Sequence, residues 1–129
     1  MHGDILQQCA RARADELPGA WVGYPFGPDW EVFKVRDRVF MLLTDTTGES
    51  IITLKADPED ARALRESHSD IQAGYHMNKK HWITVKPGGD LQADHVEELV
   101  TESYRLVVKN LPRARRPIDP ETFGRSEQE

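Results

Sequence analysis

The chain has 129 residues, the size of one domain, with 38% hydrophobic and 30% charged residues, and no apolar run approaches the roughly 20 residues of a membrane span. Met1-His2-Gly3-Asp4 has no basic segment leading into an apolar stretch, so no signal peptide is expected and the cytoplasm is the default compartment; a single cysteine, Cys9, excludes an internal disulfide and most cysteine-based metal sites. The formal net charge of -5 repels polyanions as a whole-chain field, so any nucleic-acid role requires a concentrated basic patch on an acidic body.

The first predicted helix covers Asp4 to about Glu16, with Ile5, Leu6, Cys9 and Arg13 along one stripe. Cys9 and Ala10 make its inward face small. Leu17-Pro18-Gly19 ends it, because proline cannot continue the ladder and glycine accommodates the turn. Trp21 to Pro28 reads as an ordered loop that buries its rings, since a flexible linker would not carry Trp21, Tyr24 and Phe26.

A three-strand meander is predicted next: Trp30 to Arg36, Val39 to Thr44 and Ser50 to Ala56, with a tight Asp37-Arg38 turn between the first two. That turn pairs Arg36 with Val39, Val35 with Phe40 and Lys34 with Met41. Phe33, Val35, Phe40 and Leu42 then form the core face, and Val32, Lys34, Arg36, Val39, Met41 and Leu43 the opposite one. The mixture of cations and apolar groups on that second face suits an anionic, partly apolar ligand; equally, Lys and Arg stems can simply cover apolar surface.

The second helix has the clearest local signals. Asp57 is an N-cap, Pro58 fits the first helical position, Glu59 and Asp60 complement the positive first turn, and Ala61, Leu64 and His68 face inward. Ile71 to Tyr75 and His81 to Lys86 form a hairpin about Asn78-Lys79, pairing His76 with His81 and Tyr75 with Trp82. The third helix begins with an Asp94/Glu97 capping box and continues with Val96, Leu99, Val100, Val107 and Leu111. A single domain over residues 1–111 is expected, followed by a tail at 112–129 that is mobile unless Ile118 and Phe123 dock. The order α-β-β-β-α-β-β-α implies an α+β, two-layer sandwich: an antiparallel sheet with helices on one face.

The densest polar constellation is Tyr75-His76-Met77-Asn78-Lys79-Lys80-His81-Trp82. It can be a solvated hairpin tip, or a basic wing whose Lys79, Lys80 and histidines touch phosphates while Tyr75 and Trp82 brace it. A metal site would need a third ligand beside His76 and His81, from His68 or Asp70, and no spacing demands one. No serine or cysteine nucleophile accompanies the histidines, so no catalysis and no cofactor is expected. Arg113, Arg115 and Arg116 form a short basic run of the kind that is usually only solvated.

Tyr24-Pro25-Phe26-Gly27, Val32-Phe33-Lys34-Val35, the Tyr75–Trp82 block and Ser103-Tyr104 together resemble the MmcQ/YjbR family. The resemblance runs from the first helix to Leu111. It implies a fold similar to bacterial frataxin and a DNA-binding role of the double-wing kind, with no catalytic set to transfer. The expected contacts are Lys34, Arg36, His76, Asn78, Lys79, Lys80 and His81, supported by Tyr24, Phe26, Tyr75 and Trp82. A protein-interaction or small-anion-binding module on the open sheet face is the alternative.

Overall fold

The computed structural model describes residues 1–74 and 77–124. Its elements are α1 (Gly3–Asp15), β1 (Ala20–Gly23), β2 (Trp30–Val35), β3 (Arg38–Thr44), β4 (Ile51–Lys55), α2 (Pro58–Ser67), β5 (Ile71–Ala73), β6 (Trp82–Val85) and α3 (Ala93–Lys109), followed by a 3-10 turn, Arg113–Arg115. The six strands form one antiparallel sheet in the order β1-β2-β3-β4-β6-β5. This is the expected α+β architecture with one strand more: Ala20–Gly23, taken from sequence as part of a loop, pairs with β2 from Ala20↔Val35 to Gly23↔Val32. Four residues are too few for a strand signal, and pairing with β2 supplies what local propensity does not. Among the described residues no helix is long and apolar enough to cross a membrane.

The core lies between the sheet and the helices. Phe33, Met41, Leu43, Ile52, Leu54, Ile71, Ile83 and Val85 face it from the strands, and Leu6, Ala10, Ala14, Val96, Val100, Tyr104, Val107 and Val108 from α1 and α3. The buried stripe of α1 is Leu6, Gln7, Ala10 and Ala14: Leu6 and Ala10 lie inward as expected and Cys9 packs at the core's edge, whereas Ile5 is exposed and Gln7 is buried in its place. Gln7 is tolerated inside because its amide donates to the carbonyls of Thr44 and Ile51, at the open ends of β3 and β4.

The first hairpin departs from its predicted register. Val35 pairs with Arg38 and Lys34 with Val39, but Phe33 pairs with Met41, leaving Phe40 as an extra residue in β3. The turn is consequently Arg36-Asp37, one position earlier than expected. The bulge lets both Phe40 and Met41 turn toward the helices, and sends Leu42 to the other face. Phe40 packs edge-on against Tyr104 of α3 (centroids 5.6 Å apart) and against Phe33 (6.4 Å).

The bulge lies in the β2–β3 ladder; on the other edge of β3 the regular pairing with β4 ends at Met41↔Leu54, and Ser103 extends it. Its hydroxyl donates to the carbonyl of Phe40 and accepts the backbone N–H of Lys55 at 2.8 Å, bridging β3 to β4 where the strands no longer pair directly. The neighbouring Tyr104 hydroxyl donates to the carbonyl of Pro18, tying α3 to the loop after α1. Burial pushes the Tyr104 phenol up to about 12.

At α2 the predicted cap is present: Asp57 accepts from the N–H of Glu59, and Pro58 opens the helix. At α3 the cap is Gln92, whose N–H donates to His95 Nδ1, rather than the expected Asp94/Glu97 pair. Residues 112–124 lie against the body. Ile118 and Phe123 both dock on the core, and the Phe123 ring meets Tyr104 at a tilt of 52° with centroids 5.6 Å apart. The guanidinium of Arg105 holds the Pro120 carbonyl, and that of Arg116 the carbonyls of Lys109 and Leu111.

Candidate functional site

Strand directions place both hairpin tips at one end of the sheet. β2 runs toward the Arg36-Asp37 turn; β4 runs the same way, and β6, antiparallel to β4, starts at that end with Trp82 opposite Lys55. The Asn78–His81 tip thus lies beside the Arg36 turn, three inter-strand spacings away, or about 14 Å. α3 also climbs to this end, and its C-terminal continuation brings Arg113, Arg115 and Arg116 to the first turn. Arg36 Nε donates to the Arg115 carbonyl at 2.8 Å. The basic run that the sequence left as solvated therefore joins the first tip.

Arg36 has φ 56°, the left-handed region that costs any residue bearing a Cβ. Three contacts fix it there: Trp21 Nε1 donates to its carbonyl at 2.8 Å, its guanidinium binds Arg115, and the hairpin pairs on either side. Asp37 lies 3.8 Å from both Arg38 and Arg115, a loose pairing shared between two guanidiniums. Among the described residues Lys55, Lys79, Lys80 and Arg113 have no carboxylate partner.

The second tip is built by Asn78. Its carbonyl accepts the N–H groups of His81 and Trp82, and its side chain accepts that of Lys80 at 2.8 Å. β5 and β6 pair as Ile71↔Val85 and Ala73↔Ile83, so Trp82 stands opposite Gly74 rather than Tyr75. The contact explains the glycine: a Cβ at Gly74 would come within 2.6 Å of Trp82 Cβ. The loop is correspondingly longer than a two-residue turn. Tyr75 and His76, and with them the expected His76–His81 pair, lie outside the described residues. On the helix side the acidic first turn of α2 approaches this tip, since Ala56 N–H donates to the His81 carbonyl.

The helix-free face of the sheet meets the same end. Alternation along the paired strands puts Trp21, Trp30, Val32, Lys34, Leu42, Thr53, Lys55, Gln72, Trp82 and Thr84 on it. All three tryptophans of the chain are here. Lys34 sits over the Trp21 ring, 5.4 Å from its centroid, and Lys55 is the cross-strand partner of Trp82. No strand residue on this face is acidic, although the chain has 22 carboxylates. Glu31, the only acid within β1 to β6, points to the helix side and pairs with Arg11 of α1. Val32, Leu42, Thr53 and Thr84 at the centre are buried beneath the flanking large side chains, and the Thr53 and Thr84 hydroxyls bond to each other at 3.1 Å.

Of the residues expected at the site, the structure gathers Lys34, Arg36, Asn78, Lys79, Lys80, His81 and Trp82 around one end of the sheet. It separates Tyr24 and Phe26, which follow β1 at the opposite end; both are exposed, Phe26 by 69%. Their rings are not buried as the loop reading required. Trp21, Lys55 and the Arg113–Arg116 segment are the additions at that end; Trp30 shares the helix-free face but stands at its opposite end, paired with Thr44. A usable signal for Trp30 was the alternation Trp30-Val32-Lys34, which sets an aromatic and a cation on one side and Glu31 on the other.

The YjbR family model matches residues 15–106. Over 113 residues the chain is 39% identical to YbdF of Escherichia coli O157:H7, described as uncharacterized, spanning 88% of this chain and 93% of that protein. It is 36% identical over 92 residues to YjbR of Escherichia coli K12, likewise described, spanning 70% and 78%. The crystal structure of a Deinococcus radiodurans protein superposes with a TM-score of 0.80 at 36% identity, covering 90% of this chain and 91% of that one. The family model, the sequence identities and the structural likeness agree, and the chain belongs to the YjbR family.

Proposed function

We propose that this chain binds DNA, without a catalytic step, through the helix-free face of the sheet and the two hairpin tips beside it. The observation that carries the reading is the segregation of charge. An acidic protein has kept acids out of the strand positions of one sheet face, where Glu49 of the β3–β4 turn reaches only the far end, and has set three tryptophans and two lysines on it, next to an end where Arg36, Lys79, Lys80 and Arg113 collect. Cations at the rim can neutralise phosphates, and the tryptophans offer flat surfaces on which unpaired bases stack. Local potential, rather than net charge, governs such a contact.

The three tryptophans make the test direct, because every one of them lies on the proposed face. Titrating single-stranded and duplex oligonucleotides into the protein should quench its tryptophan emission and raise oligonucleotide anisotropy. Four phosphate contacts to a single strand would weaken binding about 50-fold between 50 and 200 mM salt. No binding of either form at low salt would end the proposal.

A second reading rests on a separate observation. Residues 17–28 carry no charge, and Trp21, Val22, Tyr24 and Phe26 are all exposed along the β1 edge and its following loop. Such an edge suits a protein partner. Trp21→Ala with Phe26→Ala would abolish that contact while leaving the second tip intact.

A further inference from the structure

At the end of the sheet away from the hairpin tips, three side chains from separate segments converge. His68 caps the C-terminus of α2, Asp70 precedes β5, and Asp90 lies in the connection from β6 to α3. A ring nitrogen of His68 and one carboxylate oxygen from each aspartate lie within 4.8 Å of one another. His68 Nδ1 is 3.1 Å from Asp90 Oδ1. These two groups alone would make an ordinary hydrogen-bonded clasp between α2 and the β6–α3 connection.

Asp70 is not explained by such a clasp. It is only 8% exposed, and its Oδ1 is buried without a hydrogen-bond partner among the described residues. Carboxylate oxygens out of reach of water are ordinarily matched by a donor or a cation. The surrounding backbone is shaped to admit the group: a Cβ at Gly89 would stand 2.0 Å from the Asp70 carboxyl. The connection is held in place by Met1, whose amino group donates to the Gly89 carbonyl and whose carbonyl accepts from Gly88.

We infer that His68, Asp70 and Asp90 form a binding site for a divalent first-row transition cation. One imidazole and two carboxylates are a mixed nitrogen and oxygen donor set of the kind that zinc, manganese and ferrous iron accept. Ligand atoms about 2.1 Å from a cation are about 3 to 3.5 Å apart when adjacent. The His68–Asp90 separation already fits, and Asp90, whose side chain is largely in solvent, closes the remaining distance. Three protein ligands leave coordination positions open to water or a small anion.

The site is independent of the nucleic-acid reading and is tested without it. Calorimetric titration of the full chain, purified without a histidine tag, with zinc chloride and separately with manganese chloride should show one saturable site for at least one metal. The metal should also raise the thermal midpoint by binding only the folded chain. His68→Gln and Asp90→Asn should each weaken that binding at least about tenfold and remove the metal-induced rise. Asp90 is exposed, so its variant folds, which circular dichroism verifies. Absence of saturable binding of either metal at millimolar concentration overturns the inference. So does binding unchanged in both variants, which would place the metal on the other histidines.

Discussion

The two faces of the sheet are made by the same strands, yet they have opposite chemistry. The helix-side face is an apolar layer closed by Phe40, Tyr104 and Phe123, where Gln7 and Ser103 satisfy backbone groups and Glu31 at the edge pairs with Arg11. The helix-free face keeps a small buried centre and surrounds it with tryptophans, lysines and hydroxyls. Alternation alone would have produced an apolar side and a charged side of mixed sign. The exclusion of acids from the strand positions of the second side is a further selection, and it separates a candidate binding surface from a merely solvated one.

The contrast can be broken most severely from the helix side. Phe40→Ala removes a ring from the bulge that both Phe33 and Tyr104 touch, and should cost about 3–5 kcal/mol in urea unfolding. Ser103→Ala should cost about 1–3 kcal/mol, because it strands the Lys55 N–H and the Phe40 carbonyl at the gap in the ladder. A loss well under that range would mean that β3 and β4 close the gap unaided.

A third experiment sharpens the comparison through pH. The Tyr104 phenol is raised to about 12, above its ordinary value near 10. The folded state therefore retains this proton more tightly than the unfolded chain. Its contribution to stability is complete below about pH 10 and falls away as pH rises toward 12. Phenolate absorbance should show one tyrosine titrating late and together with unfolding, and Tyr104→Phe should remove that late step. The smallest stability effect belongs to the helix-free face: Lys34→Glu with Lys55→Glu should change stability by no more than about 1 kcal/mol. The same pair should abolish oligonucleotide binding, and unaltered binding would detach these lysines from the proposed surface.

Much of this was legible without a fold. Asp57, Pro58, Glu59 and Asp60 announce the start of α2 by chemistry that acts within one turn, and the structure shows that cap in place. The stripe Val96–Val100–Val107 located α3, and the β2 and β3 segments were readable from their β-branched and aromatic residues. What failed was non-local. The predicted Asp37-Arg38 turn ignored the Phe40 bulge, which α3 supports by packing Tyr104 against the Phe40 ring and bonding Ser103 to its carbonyl. That single residue moved Met41 and Leu43 into the core and Leu42 out of it.

In α1, Leu6 and Ala10 face inward as expected, but Ile5 does not, for a related reason. Ile5 is more apolar than Gln7, but the β3 and β4 ends present carbonyls that an amide can satisfy, so Gln7 faces inward and Ile5 faces solvent. The cations of the tips could be listed from sequence. Their common end could not, because it depends on β6 inserting between β4 and β5 and on the 113–116 segment returning to Arg36.

Helix starts, strand segments and the aromatic and basic inventory follow from residue chemistry that acts over a few positions, and the family could be recognised from them. Register, the division of strand residues between faces, and the meetings of His68 with Asp90 and of Arg36 with Arg115 belong to the folded chain alone. The physical reason is that a side chain's face in a sheet alternates with every residue, so one bulge stabilised by a distant helix reassigns everything beyond it.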